Sequence, residues 1–226
     1  MTSFSEEWRL LRLGIVDYET AHDLQKKILQ ERIDGKCLDH LILLQHNPVI
    51  TIGRSGDNKN ILASKTLLES FGITVHEIER GGDVTYHGPG QLTGYPIIDL
   101  RSYQKDVHWY LRQLEEVIIR FLSDYNIAGK RVSGYTGVWV GDEKIAAIGV
   151  AVKRWVTYHG FALNVNPDLS HFKLINPCGI TDKEVTSIVK ILGHDVSMEE
   201  VEDKVVSAFA EVFSVEILNG KENTNG

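Results

Sequence analysis

The sequence predicts an α+β domain built on a mixed or antiparallel sheet flanked by helices. Two observations carry that prediction. Helical and strand-like periodicities interleave along the first half of the chain. The later run "GVWVGDEKIAAIGVAVKRWVTYHGFALNVN" is dense in β-branched and aromatic residues and holds no crossover helix. That favours a mixed or antiparallel sheet over a parallel, doubly wound one.

Each element has a local reason. "DYETAHDLQKKILQERIDG" reads as a helix: Asp17 stands at the cap, Ala21, Leu24 and Ile28 share a face, and Gly35 ends it. "LILLQ" and "VITIGR" are apolar runs on either side of His46-Asn47-Pro48, and Pro48 bars a continuous helix there. "GITVHEIE" and "YPIIDL" are further strand candidates. "DVHWYLRQLEEVIIRFLSDYN" is the longest helix, with a stripe of Val107, Leu111, Leu114, Ile118 and Phe121 or Leu122. The β-rich run then divides into two or three antiparallel strands, with Gly141-Asp142 as a turn. "TDKEVTSIVKILG" opens on a capping-box pattern, Thr181 to Glu184, and "SMEEVEDKVVSAFAEVF" repeats it with Ser197 and Glu200. Val201, Val205, Ala208 and Val212 give this last helix its buried face. No linker interrupts residues 1–213, which are read as one domain, with a C-terminal strand and flexible tail over 214–226.

The totals bound the function. The chain has 226 residues, 42% hydrophobic and 24% charged, which suffices for a core and suits an ordinary globular protein. The net charge of −7 offers no basic footprint for nucleic acid. No apolar run approaches the ~18 residues of a membrane span. The opening residues lack the basic, apolar and small-residue pattern of a secretory signal, so the expectation is a cytoplasmic protein with its two cysteines reduced.

Residues 80–96, "RGGDVTYHGPGQLTGYP", concentrate glycine around few polar groups. Clustered glycines suit tight turns, or a backbone surface that another molecule can approach closely. Gly88, Gly90 and Gly94 miss the G-x-G-x-x-G spacing, and no phosphate-loop pattern occurs. His87 can pin the loop through a backbone carbonyl or face a ligand. A metal site is not expected: the nine histidines are scattered, with no H-E-x-x-H and no C-x-x-C.

Cys178 sits in "LINPCGITDKEV", between Pro177 and Gly179 and just before the Thr181 capping box. A thiol at a helix N-terminus has its thiolate favoured by the dipole. Cys37, between a helix end and an apolar strand, has no such device and reads as packing. A nucleophilic thiol needs a base, and two candidates stand open. His159 lies in a strand-like segment. Lys144 opens "KIAAIGVAV", where a neighbouring apolar wall would disfavour its ammonium, or where it is merely a solvated turn residue.

"HNPVITIGR", "RGGDVTYHGPGQLTGYP", "KIAAIGVAV", "HGFALNVN" and "NPCGITDKEVTSI", in that order, resemble the octanoyl-[acyl carrier protein]:protein octanoyltransferases, or lipoyl(octanoyl) transferases. The resemblance covers about Leu41 to Ile188 and implies a fold similar to the catalytic domains of biotin and lipoate protein ligases. It also implies an acyltransferase of the first step of protein lipoylation, with octanoyl-acyl carrier protein as donor. The acceptors would be lipoyl domains of 2-oxoacid dehydrogenase subunits and the glycine-cleavage H protein. No cofactor is implied. The family's cysteine matches Cys178 and its lysine Lys144. The substrate-binding positions carried over are Arg80, Gly81, Gly82, Asp83, Val84, Thr85, Tyr86 and His87. Ala147, Ile148, Gly149, His159, Gly160, Phe161 and Ala162 complete them, with His46 and Arg54 in support. On this reading Gly149 and Gly160 keep neighbouring strands bare where the acyl chain lies. Two rival readings are an ATP-dependent lipoate ligase of the same fold and a non-catalytic acyl-protein binding module.

Overall fold

A computed structural model describes residues 6–176 and 184–220. It contains eleven strands among the described residues: β1 (Glu7–Val16), β2 (Asp39–His46), β3 (Val49–Ile52), β4 (Thr74–Glu77), β5 (Val84–His87), β6 (Gln91–Ile97), β7 (Lys130–Val132), β8 (Tyr135–Val140), β9 (Glu143–Lys153), β10 (Val156–Asn164) and β11 (Glu216–Asn219). Five α-helices accompany them: α1 (Tyr18–Ile33), α2 (Lys65–Ser70), α3 (Val107–Ser123), α4 (Ile188–Leu192) and α5 (Met198–Phe213).

Eight strands form the main sheet in the order β11-β1-β2-β6-β10-β9-β8-β7, and a small sheet has the order β4-β3-β5. The sheet is mixed because β1 runs parallel to both β2 and β11, while β2, β6, β10, β9 and β8 alternate in direction. The antiparallel run through β8, β9 and β10 is the one the β-rich composition predicts, with its turn at Gly141-Asp142. β1 has no counterpart in the sequence reading, although its Trp8 and Leu10 are buried and alternate with exposed Glu7 and Arg9.

The continuous apolar run in β2 has a simple cause. Leu41 and Leu43 point to one core and Ile42 and Leu44 to the other, because both faces of the sheet are covered. On one face, Leu114, Ile118, Phe121 and Leu122 of α3 pack with Val201, Val205 and Phe209 of α5. On the other, Ala21, Ile28 and Leu29 of α1 cover Ile42, Tyr95 and Ile97. A third cluster joins α2 to the small sheet through Ile50, Leu68, Val84 and Tyr86.

Helix ends depart from the sequence reading in two places. Asp17 precedes α1 but makes no capping bond; its carboxylate instead accepts from Asn47 Nδ2 at 2.5 Å, tying α1 to the β2–β3 turn. The helix expected to open at the Thr181 box does not run through Glu184–Thr186. Val185 is bridged to Lys144 in extended backbone, and α4 starts at Ile188 with Ser187 as its cap. Thr181 itself lies outside the described residues. At the second box Ser197 Oγ caps the helix, accepting from the Glu200 N–H at 3.4 Å, while Glu200 Oε1 accepts from the Tyr125 hydroxyl and pairs with Lys204. No described helix is long and apolar enough to cross a membrane.

Leu114 is fully buried where α3 meets the sheet. Leu114→Ala should lower unfolding free energy by about 2–5 kcal/mol. Urea denaturation checks this, and a change under about 1 kcal/mol would mean that α3 does not anchor the core.

Candidate active site

The segments that carry the resemblance converge on one cavity of about 710 Å3. This lies within the roughly 300–1,000 Å3 usual for small-ligand sites. Its wall includes Arg80, Gly81, Gly82, Asp83, Val84, Thr85 and His87 from the loop and β5. Lys144, Ala147, Ile148 and Gly149 come from β9, and His159, Gly160, Phe161 and Ala162 from β10. Val107 and Leu111 of α3 and Tyr18 of α1 also contribute.

Three expected residues stand elsewhere. Tyr86 is the neighbour of two cavity residues, and strand alternation turns it away. It is buried in the small-sheet core, and its hydroxyl bonds His171 Nδ1 at 2.8 Å. His46 lies behind the wall: its Nδ1–H donates to the Val16 carbonyl, and its Nε2 accepts from the Tyr95 hydroxyl at 2.6 Å. Arg54 is exposed and is held by its backbone N–H, which donates to the Arg80 carbonyl.

Arg80 shapes the wall rather than reaching across it. Its Nη2 donates to the Thr51 carbonyl at 2.7 Å and to Thr51 Oγ1 at 2.9 Å, which locks the loop to β3. The Gly81 N–H donates to the Val150 carbonyl at 2.9 Å, which locks the same loop to β9. This contact explains Gly149. A Cβ there would stand 2.8 Å from the Gly81 carbonyl oxygen and 3.1 Å from Arg80 Cδ. Across the strand pair, a Cβ at Gly160 would collide with the Gly94 carbonyl of β6. The two glycines therefore admit neighbouring backbone, which corrects the expectation that they keep the strands bare for a ligand.

His87 heads a polar chain that the sequence reading did not assemble. Its Nδ1–H donates to Gln91 Oε1 at 2.7 Å. Gln91 Nε2 donates to Asn164 Oδ1 at 2.9 Å, and Asn164 Nδ2 to the Thr186 carbonyl at 3.0 Å. Gln91 and Asn164 stand in the two quoted segments, but nothing in either segment says that they face each other. Burial, with His46 and Arg80 nearby, pushes the His87 pKa down to about 3. Burial likewise lowers His46 to about 4 and His159 to about 3.

Lys144 is half-buried at the start of β9, with Nζ 4.9 Å from the centroid of the Trp139 ring. Its backbone N–H donates to the Glu184 carbonyl at 2.9 Å, and its carbonyl accepts from the Thr186 N–H at 3.0 Å. Glu184 and Val185 also line the cavity. Behind this wall, the buried carboxylate of Glu115 on α3 accepts from the Gly137 N–H and from Arg131, which holds β8 in place. Cys178 lies outside the described residues. The Thr181 box, on which its placement at a helix start rests, lies outside them too. Cys37 is packed beside α1 with its Sγ 3.8 Å from the Ile28 carbonyl, and burial raises its pKa.

The depressed histidine pKa values predict an acid-sensitive fold. For His46 and His87 the folded pKa lies below the ordinary 6.5, so the unfolded chain binds more protons between those values. Their contribution to stability is complete above pH 6.5 and falls as pH drops toward 4, by about 1.4 kcal/mol per pH unit for each ring. Denaturation midpoints at pH 7, 6 and 5 test this; in His87→Gln the slope should be shallower by one histidine. An unchanged slope would mean that His87 is protonated in the fold.

The lipoyl protein ligase A/B catalytic domain family matches residues 17–210. An octanoyltransferase of Solibacter usitatus is 52% identical over 211 residues, covering 93% of this chain and 95% of that relative. Among solved structures, a bi-partite lipoate protein ligase from Thermoplasma acidophilum superposes with a TM-score of 0.77 at 18% identity, covering 97% of this chain and 88% of that one. A biotin protein ligase from Aquifex aeolicus gives 0.52 at 13% identity, covering 91% and 69%. The fold is thus that of the lipoate and biotin protein ligases, and the chain belongs to the octanoyltransferase family of acyltransferases.

Proposed function

We propose that the protein transfers an octanoyl group from acyl carrier protein to one lysine of a lipoyl domain through a thioester on Cys178. The acceptors are the lipoyl domains of 2-oxoacid dehydrogenase subunits and the glycine-cleavage H protein. The observation that carries this reading is the pairing of Glu184–Thr186 with the backbone of Lys144 on the cavity wall. The chain that follows Cys178 returns onto the strand that bears the proposed base.

The chemistry then balances. Lys144 takes the Cys178 proton, and the thiolate attacks the carrier thioester. Collapse of the tetrahedral intermediate expels the carrier thiolate, which takes the proton back from Lys144. The acyl group now rests on sulfur. The acceptor ammonium gives one proton to Lys144 and its amine attacks; as the amide forms, the Cys178 thiolate leaves with the second nitrogen proton, and Lys144 releases its own proton to solvent. One thioester replaces another, and then an amide replaces the thioester. Each exchange is near-neutral or downhill, so no nucleotide is required. The apolar lining suits a hydrocarbon chain, worth about 0.8 kcal/mol per buried methylene. A reducing compartment such as the cytoplasm keeps the nucleophile a free thiol.

Octanoyl-carrier protein should leave one hydroxylamine-labile octanoyl group on Cys178, read by peptide mass spectrometry. An adduct confined to Cys37 would contradict the reading. Transfer should proceed without ATP; a requirement for free octanoate and ATP would instead make the protein a ligase. Lys144→Ala should retain carrier binding and lose about 100-fold or more in turnover. Unchanged turnover would remove Lys144 from the mechanism.

A further inference from the structure

Three ligating side chains that the transfer chemistry leaves unused meet beside the cavity. His22 belongs to α1, Glu79 precedes Arg80, and His159 lies within β10. His22 Nε2 is 3.2 Å from Glu79 Oε2, and His159 Nε2 is 3.9 Å from the same oxygen. All three ligating atoms fall within 4.8 Å of one another. Zinc–nitrogen bonds of about 2.0–2.1 Å set tetrahedral neighbours roughly 3.3 Å apart, so small side-chain rotations close this set around an ion.

The backbone is strained to make the cluster. Strand alternation directs His159 to the face of Val150, Phe161 and Leu163, within the α3 core. With φ of +56°, a left-handed conformation rare for a non-glycine residue, its ring instead stacks on His22 of α1 at 5.3 Å between centroids. Such strain persists only where the surroundings over-determine it, and it gathers at functional sites. His159 is 2% exposed, and its Nε2 has no hydrogen-bond partner. Gln25, which accepts the His159 backbone N–H at 2.8 Å, likewise leaves its Nε2 unpartnered.

The protonation states suit a cation. Burial holds His22 and His159 below the ordinary histidine pKa, in the neutral ligating form. Burial opposes ionisation of Glu79, but its own backbone N–H, His22 and Lys26 outweigh it and lower its pKa. Lys26 engages Glu79 Oε1 at 3.4 Å, which leaves Oε2 to the two imidazoles. The Glu79 side chain is 40% exposed, but its Oε2 is buried with the two imidazole Nε2 atoms, so an ion enters by displacing the outer part of that side chain.

We propose that His22, Glu79 and His159 bind one divalent cation of the zinc class, through two imidazole nitrogens and one carboxylate oxygen, with water completing the shell. The ion ties α1, the segment leading into Arg80, and β10 together around the cavity. This departs from the sequence expectation of no metal site, because the histidines are scattered in sequence and these two meet Glu79 only in the fold. His159 also lines the cavity, so the ion would sit against the acyl site without taking part in proton transfer.

The test titrates ZnCl2 into the full chain carrying Cys178→Ser, which removes a competing thiolate, with calorimetry in a non-chelating buffer. Co2+ absorption provides a spectroscopic readout. One saturable equivalent is expected, with tetrahedral Co2+ bands. His22→Ala and Glu79→Gln should each weaken binding at least about tenfold, and His108→Ala should not. Zinc should raise the melting temperature of the parent chain and not that of His22→Ala. Absence of saturable binding, or affinity unchanged in both His22→Ala and Glu79→Gln, would overturn the proposal.

Discussion

The structure depends on how closely the Arg80–Gly82 loop can sit on the sheet. Arg80 is bound to Thr51 of the small sheet, and Gly81 to Val150 of the large one. The loop is thus a bracket between two sheets, and the cavity is the space it closes. The bracket tolerates no side chain at Gly149, and a Cβ at Gly53 would stand 2.8 Å from Arg80 Nη1. An arginine with its guanidinium spent on backbone and hydroxyl oxygens holds shape, and charge-assisted hydrogen bonds make that hold strong.

Around the bracket the protein buries imidazoles in their neutral form. His87 and His159 feel the charge of Arg80, His46 stacks edge-on against His87, and burial is the main reason that none of the three carries a proton at neutral pH. Each can then accept or donate through a chosen nitrogen without adding charge to a cavity that suits a hydrocarbon chain. His87 passes its orientation through Gln91 and Asn164 to the Thr186 carbonyl, beside the backbone of Lys144. The glycine-rich loop and the strand that holds Lys144 are therefore positioned by one continuous polar chain.

Much of this was legible in the linear sequence, and the limits are instructive. The alternation and length of "KIAAIGVAV" and "HGFALNVN" mark β9 and β10, and the spacing of Leu114, Ile118 and Phe121 marks α3, because burial periodicity is written locally. Tyr86 stands in a run of cavity residues, but its ring turns into the small-sheet core against His171 and Phe172, contacts that no local pattern announces. The Thr181 box predicted a helix start that Glu184–Thr186 do not continue. Backbone pairing with Lys144 satisfies those residues better than another turn of a five-residue helix would.

The sequence by itself determined most of the element types, the apolar faces of α3 and α5, and the family, while β1 and the start of α4 escaped it. These follow from neighbours within a few residues or from whole patterns of residue identity. Tertiary structure alone decided that β1 pairs in parallel with β2 and β11, that Glu115 braces β8 from α3, and that His22, Glu79 and His159 share one point in space. The reason is physical. Local periodicity specifies which face of an element is apolar, but not which distant polar group that element will meet. Only closure of the chain around its cores fixes those meetings.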